Sequence, residues 1–251
     1  MTCCAYYDKN NNCVETYLQH IYCMNLVWDK IKKYYMKNLA RVLGKNVDVD
    51  RLMRIAFLAH DAGKLLQAYL NKRGSFQYRH EIVGAYVNKE LTKAINNDYV
   101  SNVIATAVLL HHEGIILSAY AGKYNERIIP LSTIKKVIEI SDFTYICNDL
   151  MQDPYYEKVK KYYTDEINLM DSIMRKIDKN RVYDTIKDII SFTIVEGLKF
   201  RNKVASVLHL LSVVDSVSAT LDRGNNEEDA GTQISRLALN GAELIKGVKC
   251  K

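Results

Sequence analysis

Apolar residues recur at helical spacing along almost the whole chain, and this periodicity limits the fold more than any other feature of the sequence. Val14, Tyr17, Leu18 and Ile21 lie at positions i, i+3, i+4 and i+7, which places them on one face of a helix. With 11 Gly and 2 Pro among 251 residues, the chain also lacks the turn residues that an all-β fold needs at short intervals. The sequence therefore predicts an all-α fold, a helical bundle.

Interruptions of this pattern divide the chain into helices within a single predicted domain, residues 1–251. The first helix continues past Trp28 to a break at Gly44. The later helices are predicted to contain residues 52–59, to run from His80 to about Ile95, to contain residues 100–110, to run from Ser132 through Ile146 and from Pro154 or Tyr155 through Met174, and to contain residues 204–221. Residues 114–130 are predicted to be an irregular connection, residues 223–232 an acidic loop, and residues 232–247 a short C-terminal helix.

The charge balance and the cysteines bear on partners and compartment. A net charge of +6 permits a polyanionic partner without requiring one. The first residues do not have the pattern of a secretory signal, and the longest apolar run, Val103–Leu110, is too short to cross a membrane. Six cysteines without a C-x-x-C pair argue against a cysteine-rich zinc site and favour a reducing interior, while any disulfide pairing stays open. We therefore expect a cytoplasmic protein that does not bind a membrane.

The histidines and one aspartate are the residues with the clearest potential for chemistry. His60 and the doublet His111-His112 each follow an apolar helical segment, so each is either a core histidine or a metal ligand. Several such histidines together favour a metal, which binds neutral imidazoles and carboxylates. Asp215 lies in an apolar helix, where an unpaired carboxylate would be costly to bury. Lys64 follows Asp61 by three residues and could form a surface ion pair or lie beside a phosphate.

The order of these residues carries a family resemblance. The succession His20, His60-Asp61 and Asp215, with the string His-Asp-Ala-Gly-Lys at 60–64, resembles the HD metal-dependent phosphohydrolase superfamily. Addition of His80 and His111-His112 makes the chain similar to the HD nuclease of type I CRISPR interference, in the form that is separate from its helicase. The resemblance covers residues 14–222, the predicted metal-site core.

The resemblance implies a site with two divalent metal ions. His20, His60, Asp61 and Asp215 would hold one ion, and Asp61, as a bridge, would hold the second together with His80, His111 and His112. Lys64 would stabilise negative charge on the phosphoryl oxygens in the transition state. A ligand set rich in imidazole favours Mn²⁺, Fe²⁺, Co²⁺ or Ni²⁺ over Mg²⁺, which prefers oxygen ligands. His209 falls outside this set and is interpreted as a core or surface residue.

The resemblance implies a nuclease that cuts DNA, single-stranded by preference, with a separate ATP-dependent CRISPR helicase as partner. Activity on RNA or duplex DNA stays open. One alternative is an HD phosphohydrolase that acts on a nucleotide or cyclic dinucleotide: His111-His-Glu-Gly114 begins the HD-GYP motif, although no Gly-Tyr-Pro follows. The other alternative is an HD fold without catalysis that serves as an interaction module.

Basic residues next to tyrosines are candidates for contact with nucleic acid. Lys-Lys-Tyr-Tyr occurs at 32–35 and again at 160–163, and such strings either stack on bases or form the solvated edge of a packed helix. Tyr35 and Tyr163 fit apolar stripes, which favours packing. The sequence therefore slightly favours other basic residues as the contact: Lys72-Arg73, and the group Lys199, Arg201 and Lys203.

Overall fold

The computed structural model describes residues 3–8, 10, 12–71, 78–93, 97–112, 131–147, 149–223 and 248–250. Helices predominate among them: α1 Tyr17–Leu43, α2 Val49–Ala59, α3 Gln67–Asn71, α4 His80–Thr92, α5 Asp98–Leu110, α6 Leu131–Ile140, α7 Tyr156–Lys160, α8 Glu166–Arg175 and α9 Lys179–Arg223. Short 3-10 turns occupy Ala62–Leu65 and Leu150–Gln152. Two strands, β1 Cys4–Tyr7 and β2 Cys13–Thr16, form an antiparallel hairpin in front of α1. The predicted all-α helical bundle is confirmed.

The bundle is built around two long helices, α1 and α9. The side chain of Thr16 caps α1 by accepting a hydrogen bond from the Gln19 amide at 3.1 Å, and α1 ends at Gly44, whose φ of 122° is unfavourable for other residues. Helix α9 packs against α5 and α1, and α4 lies between α5 and α2. At Gly197, φ is 68° and ψ is −153°, so the helical path of α9 is interrupted there. These contacts bring the ends of α2 and α5 and the start of α4 to one place in the core.

Two glycines allow α4 to approach the end of α2 very closely. A Cβ at Gly84 would overlap the carbonyl oxygen of His60 and lie 2.8 Å from that of Ala59. A Cβ at Gly63 would lie 2.6 Å from the Cα of His80 and still closer to its carbonyl oxygen. Both obstacles are backbone atoms, which cannot rotate away as a side chain can. The approach of α4 to the 60–63 segment therefore requires glycine on both sides.

Three disulfides pair all six cysteines. Cys4–Cys13 closes the hairpin, Cys3–Cys147 attaches it to the segment after α6, and Cys23–Cys250 attaches the end of the chain to α1. The corresponding Cα–Cα distances are 5.7, 5.2 and 5.0 Å, within the range that disulfides span. The pairing that the sequence leaves open is thus complete, and the scattered cysteines no longer argue for a reducing interior.

The structure corrects several helix boundaries. Val14 does not belong to the first helix but to β2, where it is 43% exposed. The helix predicted through Ile146 ends at Ile140. The helix predicted from Pro154 through Met174 is two helices, α7 and α8. In the turn between them, the Glu166 carboxylate accepts hydrogen bonds from the Thr164 and Asp165 amides at 2.8 and 3.1 Å. The predicted helix at 204–221 is the second half of α9.

Some predictions fall on parts of the chain outside the described residues. These are the irregular connection at 114–130, most of the acidic loop at 223–232, the C-terminal helix at 232–247 and the basic pair Lys72-Arg73.

Among the described residues, one segment, Lys179–Leu221 of α9, is long and apolar enough to cross a membrane by length and composition, and 44% of its most apolar window is buried within the protein. A core helix of a water-soluble protein meets the same criterion, so this is weak evidence for a membrane span.

The close approach at Gly84 predicts a strong effect of one added methyl group. Replacing Gly84 with Ala should destabilise the protein by about 1–3 kcal/mol, because the new Cβ meets backbone of the 59–60 segment rather than a flexible side chain. Thermal unfolding followed by circular dichroism should show a melting temperature lower by roughly 3–10 °C. Ser191→Ala, at an exposed position of α9, is the control and should leave it unchanged. An unchanged melting temperature for Gly84→Ala would contradict the packing described.

Candidate metal centre

Five helices contribute to a cluster of histidines and aspartates in the core. His20 lies on α1, His60 and Asp61 follow α2, and His80 is the first residue of α4. His111 and His112 follow α5, and Asp215 lies on α9. The structure thus brings together the seven residues that the sequence suggests as metal ligands.

The first group of side chains surrounds one oxygen of the Asp61 carboxylate. Its Oδ2 lies 3.4 Å from His60 Nε2 and 4.0 Å from His20 Nε2. Asp215 completes the group, with its Oδ1 at 3.1 Å from His20 Nε2 and 3.8 Å from His60 Nε2. Two imidazoles and two carboxylates therefore face a common centre.

The second group surrounds the other oxygen of the same carboxylate. Asp61 Oδ1 lies 3.0 Å from His80 Nε2, 3.8 Å from His111 Nε2 and 3.9 Å from His112 Nε2. The ligand atoms of these four residues all lie within 4.8 Å of one another. Asp61 is the residue that the two groups share, with one oxygen directed to each.

Most of the atoms that face the centre have no hydrogen-bond partner, Asp61 Oδ2, which accepts from Lys64, being an exception. Five of them are buried and unpaired: Asp61 Oδ1 and the Nε2 atoms of His20, His60, His80 and His111. Buried polar atoms without a partner are costly and rare in native proteins. Because the unpaired atoms converge and belong to residue types that bind transition metals, this donor set fits divalent metal ions.

The opposite ring nitrogens of three histidines are fixed by hydrogen bonds. His60 Nδ1 donates to the Phe57 carbonyl at 2.8 Å and His111 Nδ1 to the Val108 carbonyl at 2.6 Å. A carbonyl can only accept, so Nδ1 carries the proton and, in the neutral ring, the Nε2 lone pair points to the centre. Backbone bonds of this kind orient metal-binding histidines in many proteins.

For His20, the orienting group is a side chain that sequence reasoning missed. His20 Nδ1 lies 2.8 Å from Oε1 of Glu15, which is completely buried on β2. Carboxylate–histidine pairs of this kind raise the basicity of a metal ligand and fix its orientation. The one signal in the sequence is an acidic residue five positions before the histidine, and the role of Glu15 becomes evident only once the hairpin places it.

The charges in the cluster largely match what a metal ion needs. Burial would raise the pKa of Asp61, but the adjacent Lys64 ammonium outweighs this and holds it well below its usual range, so Asp61 is ionised. Burial lowers the pKa of His60, which favours a neutral ring. Burial would also lower the pKa of His20, but the carboxylates of Glu15 and Asp215 raise it to about 10. Binding of a metal at His20 Nε2 would therefore release a proton.

Lys64 lies at the edge of the cluster. Its Nζ is 2.6 Å from Asp61 Oδ2, and its side chain is 11% exposed. The predicted surface ion pair is therefore a largely buried one, directly beside the carboxylate that the two groups share.

The other candidates lie elsewhere. His209 is exposed on α9 and does not join the cluster, in agreement with its interpretation as a surface residue. Lys203 lies over the ring of Tyr99 at 4.7 Å and is twelve residues before Asp215, or about 18 Å along the helix. The group of Lys199, Arg201 and Lys203 is thus distant from the centre. In the second Lys-Lys-Tyr-Tyr string, Tyr163 is buried and its hydroxyl donates to the Arg54 carbonyl at 2.9 Å, which supports the packing interpretation.

Comparison with known proteins identifies the family. Residues 34–143 match the HD domain family. The CRISPR-associated endonuclease Cas3-HD of Thermoproteus tenax is 33% identical over 242 residues, which are 94% of this chain and 96% of that protein. The chain belongs to the Cas3-HD family. The Cas3-HD endonuclease of Methanocaldococcus jannaschii is 26% identical over 206 residues, 75% of each chain.

A solved structure agrees with the Cas3-HD assignment at the level of the fold. The Cas3 HD domain protein from Methanocaldococcus jannaschii superposes with a TM-score of 0.54 at 22% identity, covering 78% of this chain and 94% of that chain. The resemblance to CRISPR HD nucleases is confirmed by the 33% identity to the Thermoproteus tenax protein over nearly the whole chain. The HD domain match at 34–143 contains five of the candidate ligands, whereas His20 on α1 and Asp215 on α9 lie outside it.

The hydrogen bond between Glu15 and His20 leads to a test on metal binding. Glu15→Ala should weaken binding of Mn²⁺ to the first group about 10- to 100-fold, because His20 loses the carboxylate that orients it. Glu15→Gln should weaken it less, since the amide oxygen can still accept the proton from Nδ1. Glu157→Gln, at an exposed position of α7, is the control. Titration calorimetry gives the affinities, and equal affinities for Glu15→Ala and wild type would show that His20 does not need Glu15.

Proposed function

We propose that this protein hydrolyses phosphodiester bonds of single-stranded DNA during type I CRISPR interference, with two divalent metal ions held by the cluster. Family membership makes the chain a metal-dependent nuclease of the HD class. The observation that supports the two-ion form most directly is the arrangement of Asp61, whose two oxygens face two different sets of imidazoles.

The residues that would hold the ions form two sets, one around each oxygen of the Asp61 carboxylate. His20, His60, Asp61 and Asp215 would bind one ion, and Asp61, His80, His111 and His112 the other. Ions bound in this way would supply a hydroxide nucleophile and neutralise charge on the phosphate. Five imidazoles and two carboxylates suit Mn²⁺, Fe²⁺, Co²⁺ or Ni²⁺ better than Mg²⁺, which prefers oxygen.

The protein groups around the centre have complementary tasks. Lys64 keeps a positive charge next to Asp61, since that carboxylate outweighs burial and raises the pKa of the ammonium group. A phosphoryl oxygen at the centre would lie within reach of this ammonium, which would stabilise developing negative charge. His112 is 40% exposed, whereas His60 and His111 are fully buried. The substrate would therefore approach from the side of His112.

The intact and unpaired ligand set argues against a non-catalytic interaction module. A module without metal would leave five buried polar atoms unsatisfied for no functional return. An HD phosphohydrolase that acts on a nucleotide or cyclic dinucleotide would use the same centre, so the substrate tests below must separate it from the nuclease.

We further propose a separate ATP-dependent helicase as partner and the cytoplasm as compartment. This chain covers 96% of the Thermoproteus tenax protein that is named as the Cas3-HD endonuclease, which supports a separate nuclease subunit. A net charge of +6 does not by itself promise tight binding of duplex DNA at physiological salt. Foreign DNA that enters a cell is met in the cytoplasm. Three disulfides are compatible with this compartment in hyperthermophilic archaea and bacteria, where intracellular proteins carry disulfides.

Metal removal and replacement test the proposed centre. Protein treated with EDTA should be inactive on a labelled oligonucleotide, and Mn²⁺, Co²⁺ or Ni²⁺ should restore cleavage. Asp61→Ala should remove activity, because it deletes the shared carboxylate. Metal analysis should give two Mn²⁺ per chain in wild type. The single variants His20→Ala and His80→Ala should each bind one Mn²⁺ per chain. His209→Ala, an exposed histidine on the helix of Asp215, should bind two.

Activity in EDTA or in Asp61→Ala would refute metal-dependent hydrolysis at this cluster. A single Mn²⁺ per wild-type chain would leave a nuclease with one ion and refute the bridging role of Asp61.

Strand preference tests the proposed substrate and partner. The isolated protein should cut single-stranded oligonucleotides at low salt and cut blunt duplex poorly at physiological salt. A CRISPR helicase with ATP should extend cutting into the duplex, whereas a non-hydrolysable ATP analogue should not. Excess oligonucleotide should inhibit hydrolysis of a small phosphodiester. Efficient cutting of duplex by the protein alone would contradict the need for a helicase, and hydrolysis restricted to cyclic dinucleotides would replace the nuclease with the alternative.

A further inference from the structure

We propose that Tyr69, supported by Tyr7, is a stacking platform for a nucleobase next to the phosphate that is cut. The proposal rests on the proposed function, because a nucleic-acid substrate is what brings a base to this position. Tyr69 would add a binding site for a planar nucleobase next to a centre that is otherwise proposed to bind only the phosphate.

Tyr69 lies next to the candidate metal centre. Its ring centroid lies 6.1 Å from that of the candidate ligand His80, with the planes at 73°. The same centroid lies 6.0 Å from Lys64 Nζ, the cation expected to face the phosphate. Tyr69 is therefore adjacent both to a ligand of the second group and to the phosphate-binding lysine. A base whose phosphate occupies the centre would extend into the neighbourhood of this ring.

Residues of the N-terminal hairpin hold the Tyr69 side chain in place. Its ring packs against Tyr7 of β1 at a centroid distance of 6.4 Å and an interplanar angle of 44°, and its hydroxyl donates to the Ala5 carbonyl at 3.4 Å. The hairpin that provides these contacts is closed by Cys4–Cys13 and attached to the core by Cys3–Cys147. Tyr69 is half-buried: its side chain is held by these contacts, and part of the residue is exposed to solvent. A ring held in this way loses little conformational freedom when a base stacks on it.

An aromatic ring at this position suits a single-stranded nucleic acid. Stacking on aromatic rings accepts every base, because every base has a π-face, and it requires a base that is not enclosed in a duplex. A tyrosine at this position would therefore favour single-stranded substrates without sequence preference. Tyr34 is 69% exposed and so more accessible, but it lies fourteen residues after His20 on α1, or about 21 Å along the helix. Exposure alone does not make a platform for the reacting nucleotide, whereas location beside Lys64 and His80 does.

The experiment compares two single-stranded substrates of equal length, oligothymidylate and an oligomer of abasic sugar-phosphate units, with Mn²⁺ as the added metal. Tyr69→Ala should lower kcat/KM on oligothymidylate about 5- to 150-fold, as expected for loss of one stacked base. It should leave kcat/KM on the abasic oligomer and the number of bound Mn²⁺ ions unchanged. Tyr69→Phe should retain both activities, because stacking needs the ring and not the hydroxyl. Tyr34→Ala is the matched control and should behave as wild type.

The outcomes separate this proposal from the proposed function. If wild type with Mn²⁺ cuts neither substrate, the nuclease proposal itself fails. If wild type cuts oligothymidylate and Tyr69→Ala is unaffected, or loses both substrates equally together with Mn²⁺, then Tyr69 is a packing residue of His80 and the platform is refuted. Tyr69→Leu, which retains bulk next to His80 but has no aromatic face, covers the case in which the alanine variant does not fold. It should match the substrate selectivity predicted for Tyr69→Ala.

Discussion

The ionised carboxylate of Asp61, buried in the middle of the bundle, is the constraint on which the rest of the structure depends. With 1% of its surface exposed, it would be unstable in an apolar core without compensating groups. Lys64 supplies one charge at 2.6 Å, and imidazoles from four helical segments face its two oxygens. The helices can converge this closely because Gly63 and Gly84 have no side chain. Electrostatics and packing are thus satisfied by the same local arrangement.

Much of the helical fold could be predicted from the sequence, because the long helices bury one face and show it as apolar spacing. The start of α1 and the division between α7 and α8 could not. Val14 continues the helical spacing by coincidence, although it lies in β2, at a bulge between the Cys13 and Glu15 positions that pair with β1. The break after α7 depends on hydrogen bonds from the 164–165 amides to Glu166, which change the chain direction without disturbing the apolar period. Periodicity detects which face of a helix is buried, and it is insensitive to a short turn between two helices.

The candidate ligands could be predicted as a set because their order along the chain resembles a family pattern, and the helix ends then bring them together. Glu15 and Tyr69 could not be predicted in this way. Glu15 reaches His20 because a two-stranded hairpin positions it there, and apolar spacing does not reveal this hairpin. Tyr69 is one of 18 tyrosines, and its neighbours in space come from β1 and α4 rather than from adjacent positions. Groups that support a site depend on tertiary contacts, which a local string of residues does not contain.

The two long-range disulfides have a topological consequence. The loop closed by Cys3–Cys147 and the loop closed by Cys23–Cys250 overlap along the chain, with sequence separations of 144 and 227 residues. A single cut of the backbone anywhere between Cys3 and Cys250 therefore leaves both pieces in one covalent molecule, and a cut between Cys23 and Cys147 leaves them joined twice. In the oxidised protein, a nicked chain still carries all the clustered histidines and aspartates as one body, and a reductant is needed before the fragments can separate.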